Sequence, residues 1–441
     1  MRSLSILFKS RATTTHYRHQ YIHKRHHSQF DVAIVGGGIV GCASAQELIY
    51  RHSHLKVALI EKESSLNVHQ TGHNSGVIHA GLYYKPGSLM AKLCLEGLLS
   101  TYKFCDKYNI PYKKCGKLVV ATSPLEVERL KAIYERATQN GVPGISYLSS
   151  LDEIQKIEPH CHGLEAISSP MTGVVDWCCV SNQYALNFQN KGGKIFLDSE
   201  IVSIDTNERE FISLQDGHGN IIQSKYVITC AGLYSDRVSV MTGGSLEPKI
   251  VPFRGEYFLL SPEKAKLIKG NIYPVPDPAF PFLGVHFTPR MNGDIWVGPN
   301  ALPCAKREGY TWLDFSFKDL FEILRYPGFY KIALKYYNYG TGQIIGSFFP
   351  STVVPELRKF IPSIETRDLM KGPSGVRAQA MNSSGDLVGD FIFSEEGDKR
   401  VLHCRNAPSP AATSSLAIAR TMIDKVEERF EFPKIGNASL Y

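Results

Sequence analysis

The chain has 441 residues, 43% hydrophobic and 21% charged, an ordinary composition for a globular protein with room for two domains and a large core. Its net charge of +7 is concentrated at the front, where Arg2, Lys9, Arg11, Arg18, Lys24 and Arg25 precede the first acid, Asp31, leaving +1 for everything after. A nearly neutral body argues against a nucleic-acid partner, which needs a basic face on the folded part.

The opening residues read as a leader. They carry those six cations, five histidines, several Ser and Thr, and a short apolar cluster of Leu4, Ile6, Leu7 and Phe8. This is the composition of a mitochondrial transit peptide over residues 1–29, the alternative being a basic tail that stays attached. No later window holds the ~18 uninterrupted apolar residues of a spanning helix, so any membrane contact is expected to be peripheral. The ten cysteines form no CxxC pair and read as reduced thiols, with neither a disulfide framework nor a metal site. Cys178 and Cys179 are read as packing residues of a strand.

The first folded element is the apolar strand Phe30 to Val35, followed by Gly36-Gly37-Gly38-Ile39-Val40-Gly41 and a helix of small residues from Cys42. Gly36, Gly38 and Gly41 match the GxGxxG turn that seats a pyrophosphate on a helix start. A second strand, Lys56 to Ile60, ends in Glu61, twenty residues beyond Gly41, where an acid grips a ribose 2′-hydroxyl. A carboxylate there repels a 2′-phosphate, so FAD or NAD remains. Helices are predicted from Leu89 to Tyr108 and around Leu130 to Ala137, with a buried strand from Gly116 to Thr122 between them. Ser150 and Glu153 suit the capping box of a short helix.

Farther on, Tyr226 to Thr229 forms a strand that runs into Ala231 and Gly232, small residues suited to a close approach by a cofactor. From 246 to 371 the composition shifts toward Pro and aromatics, with strand-like runs at Tyr257 to Leu260, Pro281 to Thr288 and Asp294 to Val297. Within it, Phe315 to Tyr337 interleaves aromatic and aliphatic residues with Lys318, Arg325, Lys331 and Lys335. That pattern fits basic amphipathic helices lying on an anionic membrane or, equally, core-packed helices broken at Pro327-Gly328. The strand Val401 to Cys404 then leads through Asn406-Ala407-Pro408-Ser409-Pro410 into a helix from Ala411 to Ile423. Only one glycine fingerprint has a partner acid, so the organic substrate is expected to reduce the cofactor directly.

Taken together, the fingerprint with Glu61 and four further segments resemble the D-amino-acid-oxidase-like FAD superfamily, and within it the enzymes that oxidise L-2-hydroxyglutarate. The segments are Gly72-His73-Asn74-Ser75-Gly76-Val77-Ile78-His79-Ala80-Gly81-Leu82-Tyr83-Tyr84, Val251 to Tyr257, Gly372 to Gln379 and Asn406 to Thr413. The resemblance implies an α/β fold, with a Rossmann-like FAD-binding domain over residues 30–111, 180–245 and 372–430. An interleaved β-rich (α+β) substrate domain would take residues 112–179 and 246–371. It also implies conversion of L-2-hydroxyglutarate to 2-oxoglutarate, electrons passed to a quinone-linked acceptor, and a mitochondrial place on the inner membrane. FAD would rest on Gly36, Gly38, Ile39, Val40, Gly41, Glu61, Lys62, Asn74, Ser75, Gly76, Ala231, Gly232, Asn406, Ser409 and Pro410. Rival readings are another flavin oxidoreductase of small acids or amines, and a non-catalytic flavoprotein assembly factor.

Oxidising a 2-hydroxy acid requires a base for the hydroxyl proton, and histidine titrates in the right range. His79, on the glycine-rich loop, is the first candidate and His286 the second; His79 has the alternative of hydrogen-bonding the flavin or carrying a covalent link to it. Two substrate carboxylates call for fixed cations, for which Arg254 and Arg377 stand out, with Lys117 and Tyr257 behind them. The alternative for Arg254 is a structural pair with Glu256. Arg405 is either a solvent-facing substitution or an extra charge near the cofactor.

Overall fold

A computed structural model describes residues 28–280 and 283–434, so the leader expected over 1–29 lies almost wholly outside the described residues. Two mixed sheets dominate, with a three-stranded ribbon beside them. The first runs from Ile201–Asp205 through Ile212–Asp216, Ile221–Thr229, Ser28–Val35 and Val57–Ile60 to Lys194–Phe196. Its centre is parallel: Val35 lies opposite both Thr229 and Ile60, and Val401–Asn406 adds in parallel beyond Ile221–Thr229. Strands covered on both faces read as unbroken apolar runs, and Val57–Ile60 is buried throughout. The helix Ile39–Arg51 covers this layer with Trp177–Asn190 and Ser415–Arg429. Polar residues in that contact are paired, Asn187 Nδ2 donating to Gln46 Oε1 at 2.7 Å and Arg51 Nε to Glu47 Oε1 at 2.9 Å.

The second sheet has nine strands, ordered Leu302–Pro303, Lys249–Leu260, Ile295–Gly298, His286–Pro289, Asn271–Pro274, Lys117–Ala121, Glu165–Ser169 and Ser146–Leu148, with Leu369–Met381 on the far side of Lys249–Leu260. Residues 372–381 therefore run in this sheet rather than in the nucleotide layer, because their backbone bonds go to Lys249–Leu260. Direct partners in an antiparallel pair share a face. Phe253 lies opposite Arg377, and Arg254 opposite Val376. The two candidate arginines, odd and even in one register, thus leave the pair on opposite faces.

Three expected elements come out differently. The last helix opens at Ser415, not Ala411, since residues 408–414 form turns in which Ala411 N donates to Pro408 O and Ser414 N to Pro410 O. Cys178 and Cys179 sit on the helix Trp177–Asn190, not on a strand, and all ten cysteines are free thiols. The aromatic, basic stretch forms Phe317–Leu324 and Pro327–Lys335, and a third helix, Tyr337–Phe348, continues it.

Candidate active site

The glycine turn is built by close packing. Gly36 has φ +111°, and a Cβ on it would lie 2.3 Å from Cys230 O; a Cβ on Gly41 would lie 1.9 Å from Gly36 O. Those contacts press the helix Ile39–Arg51 against the ends of two parallel strands. At Gly38, by contrast, the nearest atom to an added Cβ is Thr71 Oγ1 at 3.4 Å, leaving the helix start open to a ligand. Glu61 follows the strand Val57–Ile60, its Oε2 accepting from Gly37 N at 2.6 Å and its Oε1 from Glu63 N at 3.0 Å.

From this turn a cavity of about 870 Å³ extends to the second sheet. This is toward the upper end of the ~300–1,000 Å³ of small-molecule sites. Its walls include Gly36, Gly38, Ile39, Val40, Glu61, Lys62, Asn74, Ser75, Ala231, Gly232, Asn406, Ser409 and Pro410, along with His79, His286 and Arg377. Gly41, Gly76 and Arg254 are not among them. Gly41 serves helix packing, and Gly76, at φ +75°, makes room for Arg290, whose Nη1 would lie 2.5 Å from an added Cβ. Arg254 is a structural residue: buried, it donates from Nε to Glu256 at 3.0 Å and from Nη1 to Thr311 O at 2.7 Å, and it lies over the Trp312 ring.

The walls carry polar atoms that fit a dinucleotide. Asn406 Nδ2 donates to Asp390 O at 2.8 Å, while its buried Oδ1 has no partner among the described residues. Asn74 spends its amide locally, donating to Thr71 O at 2.7 Å and accepting from Gly76 N, so it shapes the loop. Lys62 pairs with Glu308 at 2.8 Å and with Glu63, and His69 bridges the same two acids at 3.0 and 2.7 Å. These partners hold Glu308 down at about 2 against its burial and raise His69. Arg405 is buried rather than solvent-facing and lines the cavity, Nη1 donating to Ser239 Oγ at 3.0 Å.

At the other end stand the histidines. His286 donates from Nδ1 to Gly284 O at 2.9 Å; a carbonyl only accepts, so Nδ1 bears the proton and Nε2 is the basic nitrogen. Burial, with Lys117 and Arg377 nearby, pushes its pKa down to about 3. Burial, Lys117 and His286 likewise hold His79 well below the usual range. The His79 amide is fixed by donating to Thr413 Oγ1 at 3.0 Å, which ties the glycine-rich loop to the approach of the last helix. Arg377 donates to Asn300 O at 3.3 Å. Of the acids in the cavity wall, Glu61 is held by the Gly37 and Glu63 amides and Glu308 by Lys62 and His69. Sequence reasoning ranked Lys117 low and missed Tyr273, whose ring packs on His286 at 4.0 Å; a lysine opening an otherwise apolar strand was the available signal.

Known proteins resemble this chain in sequence and in fold. L-2-hydroxyglutarate dehydrogenase, mitochondrial, of Homo sapiens is 51% identical over 92% of this chain and 90% of its own. The protein of the same name from Nematostella vectensis is 49% identical over 97% and 96%. Among solved structures, L-alpha-glycerophosphate oxidase from Mycoplasma pneumoniae with FAD bound superposes with a TM-score of 0.70 at 23% identity, covering 90% of this chain and 94% of that one. Glycine oxidase from Geobacillus kaustophilus superposes at 0.67 and 16% identity, over 93% and 97%. The FAD dependent oxidoreductase pattern matches residues 31–425, and with the glycine turn, Glu61 and the cavity in agreement, the chain belongs to that family of enzymes.

Proposed function

We propose that the enzyme oxidises L-2-hydroxyglutarate to 2-oxoglutarate. The observation that carries this reading is the meeting of Arg377, His286 and His79 in the cavity wall, a cation beside two imidazoles held neutral by burial, a setting suited to a dianion that must lose a proton. The name shared by the relatives about half identical to this chain supports the choice of acid. The chemistry that FAD would supply when bound is a two-electron acceptor for the hydride leaving C2. Gly38 and the start of the helix Ile39–Arg51 would hold its phosphates, Glu61 would hold a ribose, and Asn406 Oδ1 offers it an unspent acceptor.

Arg377 forks one substrate carboxylate. His286 takes the hydroxyl proton at Nε2, because the Gly284 carbonyl fixes the tautomer; His79 is the alternative base. Burial lowers both imidazoles and keeps them unprotonated before substrate arrives. A bound dianion offsets that lowering, so their basicity rises as the reactant arrives.

The electrons go on to a quinone-linked acceptor at the inner mitochondrial membrane. Exposed apolar helices support this, one of which brings Tyr339 close to Arg377, as does the mitochondrial name of the relatives. The test is anaerobic addition of L-2-hydroxyglutarate, with the D form as control, to protein lacking the leader. Loss of the visible flavin absorbance with the L form alone is expected. A yellow protein that neither form bleaches overturns the reading.

A further inference from the structure

Lys117 opens the strand Lys117–Ala121, between Asn271–Pro274 and Glu165–Ser169 in the middle of the second sheet. It is buried, and its Nζ stands 4.0 Å from the centre of the Tyr273 ring and 5.7 Å from that of Tyr83. The titratable groups around it are those two phenols, the thiols of Cys94 and Cys115, and the imidazoles of His79 and His286. Burial raises both phenols and both thiols, so all four are neutral at physiological pH. No carboxylate pairs with Lys117 among the described residues. A lysine sealed inside a protein ordinarily has an acid beside it or a task that forbids one.

We propose that Lys117 is a positioning residue: its ammonium draws the anionic substrate to the histidine end of the cavity and keeps the imidazoles of His79 and His286 in the unprotonated form that accepts a proton. The proposal rests on the reading of the substrate given above. Geometry supports it, since the Lys117 ammonium and the His286 ring each stand 4.0 Å from the centre of the Tyr273 ring, so the charge acts at short range in a dry sheet. The cation–π seat substitutes for a counter-ion only in part. Burial accordingly lowers Lys117 to about 7, which places its titration within the working range. An incoming carboxylate supplies the missing counter-charge and raises that value, so binding above neutrality takes up a proton.

The probe is glutarate, a five-carbon dicarboxylate without the hydroxyl to be oxidised, added to holoenzyme and followed by the shift it causes in the flavin spectrum. Wild-type affinity should weaken at least tenfold between pH 6.5 and pH 8.5, with proton uptake registered by an indicator dye at pH 8. Lys117→Met should bind glutarate at least tenfold more weakly at pH 6.5 and without that pH dependence. The acidic limb of its kcat/KM profile should move up by about one pH unit, because the histidines lose a cationic neighbour. Lys117→Arg should bind without weakening toward pH 8.5.

Wild-type binding that stays flat from pH 6.5 to 8.5 overturns the proposal, and this measurement needs no variant to fold. So does a Lys117→Met enzyme whose glutarate affinity and pH profile match the wild type. Failure of the substrate reading looks different: L-2-hydroxyglutarate would leave the wild-type flavin oxidised whatever glutarate does.

Discussion

Two arginines of similar sequence setting, Arg254 and Arg377, end up in different work because the strands that carry them pair in a fixed register. Arg377 reaches the cavity, whereas Arg254 is absorbed by Glu256, Thr311 and Trp312. Replacing Arg377 by Ala should raise KM at least tenfold with FAD retained, a loss of ~1.4 kcal/mol or more of substrate binding. Replacing Arg254 by Ala should leave KM within twofold yet cost about 1–2 kcal/mol of stability, since the half-buried Glu256 carboxylate loses a charged donor and the Trp312 ring loses the guanidinium packed on it. Steady-state kinetics beside thermal unfolding separates the two. Lys117 has the opposite stability sign. Its pKa falls from 10.5 unfolded to about 7 folded, so burying it opposes folding below pH 10.5 and most strongly at and below pH 7. Lys117→Met should therefore stabilise the fold at pH 7, by on the order of 4 kcal/mol at ~1.4 kcal/mol per pKa unit. The gain should shrink as pH rises toward 10.5, a trend that scanning fluorimetry can follow.

Among the elements, the loop after Val57–Ile60 and the segment after Leu302–Pro303 are joined by Lys62, Glu63, His69 and Glu308. Glu308 is lowered from 4.5 to about 2, so its contribution is present above pH 4.5 and is lost on acidification. His69 is raised above 6.5, so its contribution is full below that pH and is lost as pH climbs through the raised value. The joint is strongest from about pH 4.5 to 6.5. His69→Asn should lower the melting temperature most in that window and progressively less above it; an equal loss at pH 5.5 and pH 9 would exclude an ionic role. This joint was invisible in the sequence, as its halves lie about 240 residues apart. The glycine turn was legible because its geometry is local: Gly36, Gly41 and Glu61 are fixed by spacing along one strand, turn and helix. Strand register and the choice between Arg254 and Arg377 were not, since both depend on long-range pairing. The helix Tyr337–Phe348 escaped because Gly340, Gly342 and Gly346 depress its intrinsic propensity.

Over the whole molecule, the stretch from 312 to 349 shows that the two sequence readings of its amphipathic pattern are compatible. Ile323, Tyr326 and Ile332 pack with Val251, Phe253 and Met381, so one side of these helices belongs to a core. The other side leaves Leu313 93%, Phe317 82% and Leu334 78% exposed, with Tyr337, Phe348 and Phe349 also outside. Lys318, Arg325, Lys331 and Lys335 are exposed among them. Apolar side chains ringed by cations suit the boundary of an anionic bilayer, and no helix of the described residues is long and apolar enough to cross one. The enzyme should therefore sediment with vesicles containing anionic lipid. Salt should weaken this binding without abolishing it, because the apolar part is not screened. Each buried aromatic or leucine is worth ~1.5–3 kcal/mol. Phe317→Glu with Leu334→Glu should consequently weaken vesicle binding far more than tenfold while bleaching by L-2-hydroxyglutarate stays unchanged, since neither residue touches the cavity. If the double variant binds vesicles as well as the wild type, the exposed face serves something other than a lipid surface. If it loses vesicle binding and also the ability to reduce a bilayer-embedded quinone, yet still reduces a water-soluble dye, then the same face delivers the enzyme to its acceptor.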